Sequence, residues 1–153
     1  MMRSFAFAAA ITLLVGCLSP ASAGPDDIVV EGAWSRASIG VIRPGVAYMS
    51  LRNEGEKTMT LTGIRTDLAA MSELHETSTN AQGISSMAPA GDIEIAPGAT
   101  VELKPGGLHA MLMRLQRPMV KGDVYPLTLI FSDGSEKTVE IPVLDIRSLG
   151  PDG

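Results

Sequence analysis

The sequence contains a single cysteine and only two histidines in 153 residues. The cysteine, Cys17, precedes every segment that is predicted to fold, so the folded domain has no thiol. A blue-copper electron-transfer site needs a cysteine thiolate beside two histidines and a methionine, so this class of site is excluded. A zinc site would need carboxylates such as Glu73 or Glu76 beside the two histidines.

The chain also lacks an excess of positive charge and, beyond its N-terminus, any long apolar run. Twelve Lys and Arg against 17 Asp and Glu give a net charge of -5 at pH 7, which is unfavourable for binding nucleic acid. The apolar stretch 5–15 is too short to cross a bilayer as a helix, and no later run is comparable. We therefore expect no nucleic-acid partner and no transmembrane anchor.

Residues 1–23 have the pattern of a signal peptide. Arg3 is their only charge, the apolar stretch follows it, and small residues at 21–23 suit cleavage after Ala23. Residues 14–17 resemble a bacterial lipobox, so lipid attachment at Cys17 is the alternative. The spacing of the 21–23 site favours a soluble, exported protein. The predicted organisation is a signal peptide at 1–23 and one domain at 24–153.

Short apolar runs, separated by Gly, Pro, Asn and Asp, recur along the rest of the chain about every eight to twelve residues. The runs are too short for helices and predict an all-β sandwich. Residues 67–72 follow no alternating pattern and are expected to form a short helix or a loop. The predicted strands are 28–36, 45–53, 58–65, 73–77, 83–87, 92–95, 100–104, 108–115, 125–131 and 137–144.

Both histidines, His75 and His109, lie in a part of the chain that is rich in methionine. His109, Met111 and Met113 alternate along one predicted strand and therefore project from the same face. Neutral imidazole and thioether ligands favour a soft, monovalent ion such as Cu(I). Taken alone, each methionine is more typical of core packing, and each histidine is more typical of a ring that is hydrogen-bonded to a backbone group. The hypothesis therefore rests on the combination of these residues.

Two other classes of function remain open at this point. One is an enzyme with a copper or zinc centre, built from the two histidines and either Glu73 or Glu76, with water at an open position. The other is a metal-free interaction sandwich, in which the histidines and methionines only pack.

The spacing of the four candidate residues resembles the signature of the PCuAC family of periplasmic copper chaperones. His75 and Glu76 are followed by ten residues, Met87, twenty-one residues and then His109-Ala110-Met111. The resemblance extends to 33–37, 45–48, 73–76 and 103–107, and so covers nearly all of the mature chain. Glu76 departs from the family, since many relatives carry methionine there.

The resemblance implies a cupredoxin-like Greek-key β-sandwich that binds one Cu(I) through His75, Met87, His109 and Met111. It implies no catalysis: the protein would transfer copper to an acceptor, either the CuA subunit of cytochrome c oxidase or a thioredoxin-like assembly factor. The short C-terminal tail at 147–153 lacks the His- and Met-rich extension of some relatives, so we expect a single copper site. We expect a monomer.

Overall fold

The computed structural model describes residues 24–151, so the predicted signal peptide and Cys17 lie outside the described residues. A 3-10 turn at Pro25–Asp27 precedes ten strands. No helix between residues 24 and 151 is long and apolar enough to cross a membrane. The strands are β1 Ile28–Arg36, β2 Gly45–Asn53, β3 Met59–Arg65, β4 Ala69–Thr79, β5 Ser85–Pro89, β6 Ile93–Ile95, β7 Thr100–Leu103, β8 Leu108–Leu115, β9 Val124–Phe131 and β10 Glu136–Leu144.

The ten strands form one continuous hydrogen-bonded order that divides into two sheets, and many neighbouring strands are not consecutive in the chain. The first sheet has the order β5-β4-β8-β7-β2-β1, and the second has the order β10-β9-β3-β6. A short parallel pairing between β1 and β10, at Ser35 and Val143, joins the two sheets. The prediction of an all-β Greek-key β-sandwich is therefore confirmed.

The core lies between the two sheets and is built from residues two positions apart along each strand. In β9, Tyr125, Leu127, Leu129 and Phe131 are buried, whereas the residues between them are more exposed. Successive side chains of a strand point to opposite faces, so an alternating sequence buries one face only. The other face of the first sheet is therefore free to carry polar and thioether side chains.

The prediction of a helix or loop at 67–72 is wrong for 69–72, whereas residues 67 and 68 form a turn. Strand β4 begins at Ala69, which pairs with Leu115 of β8, and Met71 pairs with Met113. The pairing with β8 satisfies the backbone of this segment, although its local sequence does not alternate. The other predicted strands are present, and their ends differ by at most two residues from the prediction, except that β4 begins four residues earlier.

Candidate metal centre

The two histidines lie directly opposite each other on adjacent strands. His75 of β4 pairs with His109 of β8, and their ring centroids are 6.1 Å apart. Their strand neighbours Leu74 and Ala110 are buried in the core, so both histidines lie on the outer face of the first sheet. Two residues separated by 33 others in the chain thus become a cross-strand pair.

A tight turn places His109 at the start of β8. In this turn, the N–H of Gly107 donates to the carbonyl of Lys104 at 3.1 Å, and Gly106 has a φ of +81°. Proline at the second position and glycine at the third are the residues that a type II turn favours. The Gly107 carbonyl, in turn, accepts hydrogen bonds from Thr77 N–H of β4 and from the ring of His109.

The hydrogen bond to Gly107 determines which nitrogen of His109 can bind a metal. His109 Nδ1 lies 2.9 Å from the Gly107 carbonyl, which can only accept, so Nδ1 carries the proton. In the neutral ring, Nε2 then keeps its lone pair. Nε2 is buried and has no hydrogen-bond partner among the described residues, and the residue is only 4% exposed. A buried acceptor without a partner is costly, and a metal ion would satisfy it.

His75 is held by a carboxylate instead of a backbone carbonyl. His75 Nε2 lies 3.1 Å from Oε2 of Glu73, two residues earlier on the same face of β4. An ionised carboxylate only accepts, so Nε2 carries the proton and Nδ1 of the neutral ring is available as a ligand. The two histidines therefore offer opposite ring nitrogens.

Met111 and Met87 share the outer face with the two histidines. Met111 lies two residues after His109 and directly opposite Glu73. Met87 of β5 is opposite Thr77, which lies two residues after His75, and Met87 is 52% exposed. The structure thus brings all four predicted residues to one face of three adjacent strands, β5, β4 and β8.

The donors gathered on this face are predominantly soft and neutral. Within residues 24–151, no group of three or more His, Cys, Asp or Glu side chains is arranged to hold a metal ion. Of the two carboxylates considered for an enzyme site, Glu73 is bonded to His75, whereas Glu76 projects from the opposite face of β4. Two imidazole nitrogens and two thioethers fit Cu(I) better than Zn²⁺ or Mg²⁺.

Sequence reasoning did not identify the groups that orient the two histidines. It treated Glu73 only as a ligand of the enzyme alternative, and it gave the Gly107 carbonyl no role. The two-residue spacing of Glu73 and His75 could have indicated a shared face, and hence a contact. The Gly107 carbonyl could not have been found in this way, because a backbone group has no sequence signature.

Comparison with known proteins finds relatives that match most of this chain. The family model described as "Putative lipoprotein LpqE-like" matches residues 28–143. "Putative lipoprotein Lxx21020" of Leifsonia xyli subsp. xyli is 34% identical over 152 residues, covering 95% of this chain and 90% of that protein.

Solved structures with this fold include copper-bound forms. The solution structure of CuI-DR1885 from Deinococcus radiodurans is 33% identical and has a TM-score of 0.61, with 84% of each chain covered. The copper-bound PCuAC domain from PmoF2 has a TM-score of 0.63 and 22% identity, with 78% of this chain and 93% of that domain covered. The family match and the shared fold together show that this chain belongs to the LpqE-like family of PCuAC-type proteins, with their cupredoxin-like β-sandwich.

Proposed function

We propose that this protein is an exported copper chaperone that binds one Cu(I) through His75, Met87, His109 and Met111 and transfers it to an acceptor protein. The observation that carries the proposal is the buried Nε2 of His109, which lacks a hydrogen-bond partner in the described part of the chain. It belongs to a ring 6.1 Å from that of His75, on a strand that also presents Met111. Metal binding at this nitrogen explains why it is buried without a hydrogen-bond partner, which packing alone does not explain.

The ligand set favours the reduced ion. Both histidines bind as neutral rings, and thioether sulfur is a soft donor that prefers Cu(I) to harder divalent ions. The related DR1885 has been solved in a CuI form, which supports the same oxidation state here.

The position of the site suits transfer of the metal. The four residues lie on the outer face of the sandwich, Met87 is 52% exposed, and Met111 is half-buried. A thiolate or imidazole of a partner can enter the coordination sphere while a weak thioether leaves. Copper then passes between proteins without being released to solution, and no catalysis is required.

The family resemblance supports an acceptor in the assembly of cytochrome c oxidase. This acceptor is either the CuA subunit or a thioredoxin-like assembly factor, reached in the periplasm by a soluble monomer.

An anaerobic Cu(I) titration of the mature protein against a competing chelator tests the site. We expect one tightly bound equivalent. The pairs His75→Ala/His109→Ala and Met87→Ala/Met111→Ala should each lower the affinity by at least about tenfold, because each pair removes two ligands. The matched control is Met71→Ala/Met113→Ala, which removes two methionines further along the same face and should leave the affinity unchanged.

Each other outcome points to a different class of protein. If Met87→Ala/Met111→Ala binds copper with the affinity of the wild type, the result would favour the metalloenzyme with a carboxylate ligand. No stoichiometric binding, together with no rise in melting temperature on addition of Cu(I), would favour the metal-free interaction sandwich, since a ligand that binds only the folded state stabilises it.

A further inference from the structure

A pocket with two arginines adjoins the face that carries the proposed copper site. It has a volume of about 310 Å³ and lies between the segment joining β1 to β2 and the C-terminal segment near Ile146. We call it the arginine pocket. Its lining includes Arg36, Ile39, Arg43, Val46, Tyr48 and Ile146.

The arginine pocket and the proposed copper site share one face of the first sheet. Val46, which lines the pocket, pairs directly with Met111 of β8. Side chains of directly paired residues project to the same face, with Cβ atoms about 5 Å apart. Tyr48 follows two residues later on β2 and therefore lies on this face as well. A molecule in the pocket would thus be adjacent to Met111.

Neither arginine of the pocket has an acidic partner in the described part of the chain. Between residues 24 and 151, no carboxylate lies within 4.0 Å of a guanidinium nitrogen of Arg36 or Arg43. The Arg36 guanidinium lies over the rings of Trp34 and Tyr48, at 5.5 and 5.9 Å, and its Nε donates to the Ser148 carbonyl at 2.7 Å. Its terminal nitrogens remain available. In a chain of net charge -5, this is a local site of unneutralised positive charge.

Apolar side chains surround this charge and are exposed. Ile39 is 62% exposed, Ile42 is 94% exposed and Ile146 is 44% exposed. Exposed apolar groups concentrated on one surface are typical of interaction sites. Arginine and aromatic residues are also enriched where proteins bind each other.

The pocket is formed before any partner binds. Ser38 N–H donates to the Met119 carbonyl, and the Met119 N–H donates to Ser38 Oγ, both at 2.9 Å. Ala37 N–H donates to the Leu144 carbonyl at 2.9 Å. These bonds anchor the start of the segment that follows β1, so binding does not have to order it.

We propose that the arginine pocket binds an acidic, apolar segment of the copper acceptor, namely a carboxylate side chain flanked by aliphatic residues. This inference rests on the proposed chaperone function. The carboxylate pairs with Arg43 and with the free terminal nitrogens of Arg36, while the flanking residues cover Ile39 and Ile146. Docking there holds the acceptor next to Met111, where copper leaves.

The chemistry of the pocket can be tested without copper. The probe is the peptide acetyl-Leu-Glu-Leu-amide, added to the ¹⁵N-labelled mature protein and followed by backbone amide shifts. We expect saturable shifts in residues 36–48 and at Ile146. The matched peptide acetyl-Leu-Gln-Leu-amide and the variant Arg43→Gln should each abolish them. Lys57→Gln changes an exposed residue in the turn that follows β2 and should leave them intact. Equal shifts with both peptides, or no shifts up to the solubility limit, would overturn the proposal.

A transfer experiment separates docking from copper binding. The Cu(I)-loaded protein is mixed with the apo CuA domain of cytochrome c oxidase at low salt, and the rate of transfer is compared for Arg43→Glu and Lys57→Glu. Arg43→Glu should slow the transfer by about tenfold with unchanged Cu(I) affinity, because charge complementarity mainly changes association rates. Equal rates for the two variants would contradict docking at the pocket. A wild-type protein that fails to bind Cu(I) would instead refute the chaperone function. The peptide titration would still show whether the arginine pocket binds an acidic segment.

Discussion

At the scale of single residues, the site depends on two hydrogen bonds that present opposite nitrogens of two histidines. A backbone carbonyl holds Nδ1–H of His109, and a carboxylate holds Nε2–H of His75. Such partners orient a ligating imidazole and make its other nitrogen more basic. The two bonds differ in one respect. The Gly107 carbonyl belongs to the backbone of a hydrogen-bonded turn, whereas the Glu73 side chain is 45% exposed and can be replaced by mutation.

Glu73 therefore offers a test of how His75 binds copper. We expect Glu73→Ala to lower the Cu(I) affinity by about tenfold, because the ring loses the partner that fixes its tautomer and orientation. Glu73→Gln should retain most of the affinity, since its amide oxygen can accept the same hydrogen bond. The measurement is the competitive Cu(I) titration.

Glu76→Ala is the matched control, because Glu76 lies on the same strand but projects from the opposite face. Its Cu(I) affinity should equal that of the wild type. A higher affinity in Glu73→Ala would mean that His75 binds through Nε2 and that Glu73 competes with the metal.

At the scale of strands and turns, a buried asparagine secures the turn that follows β2. Asn53 is fully buried, and its Nδ2 donates to the carbonyls of Lys57 and Ile95, at 2.7 and 2.8 Å. Its Oδ1 accepts the N–H of Gly55 at 2.9 Å. One side chain thus joins the β2–β3 turn to β6 in the other sheet.

We expect Asn53→Ala to lower the free energy of unfolding by about 2 kcal/mol or more, because buried backbone groups lose their partners. Asn80→Ala is the control, since Oδ1 of Asn80 also accepts two backbone N–H groups but in an exposed turn. Asn80→Ala should lower the free energy of unfolding by less than about 1 kcal/mol, because water replaces the lost bonds. Denaturant unfolding measures both values, and equal losses would contradict the role assigned to Asn53.

At the scale of the whole molecule, a hydrogen bond between Ser35 of β1 and Tyr125 of β9 crosses between the two sheets. Tyr125 is 2% exposed, and burial raises the pKa of its hydroxyl well above the usual value near 10, with the Ser35 bond opposing this only in part. Burial also raises the pKa of Tyr48, against the smaller influence of Arg36.

The raised pKa of Tyr125 predicts that stability falls in alkali. Above about pH 10 the unfolded chain loses the phenol proton while the folded protein keeps it, so the free energy of unfolding decreases as pH rises. Each such group contributes about 1.4 kcal/mol per pH unit between its unfolded and folded pKa values. Tyr125→Phe should reduce the slope of stability against pH by this amount, measured by denaturant unfolding between pH 9 and about pH 12.

Ser35→Ala separates this titration from the loss of the hydrogen bond. It removes the bond but keeps the buried phenol, so its stability should be lower at every pH with a slope close to that of the wild type. An unchanged slope in Tyr125→Phe would show that Tyr125 does not contribute to the alkaline loss of stability.

The sequence by itself determined the all-β class, most strand positions and the family, because alternation, turn residues and the spacing from His75 to Met111 are local or countable features. It also determined the chemistry of the donors, since a domain without a thiol and with only two histidines has few metals that it can bind. The assignment of the four residues as copper ligands remains a prediction that the titration tests.

Only the tertiary structure decided the start of β4 at Ala69, the pairing of His75 with His109 and the groups that hold their rings. The register between β4 and β8 depends on contacts between segments far apart in the chain. A shift of either strand by one residue would move its histidine to the core face and break the pairing of the two rings. The same holds for the arginine pocket, whose two sides come from residues 36–48 and from Ile146. Local patterns specify which residues can form a strand, whereas packing across the sandwich specifies which of them meet.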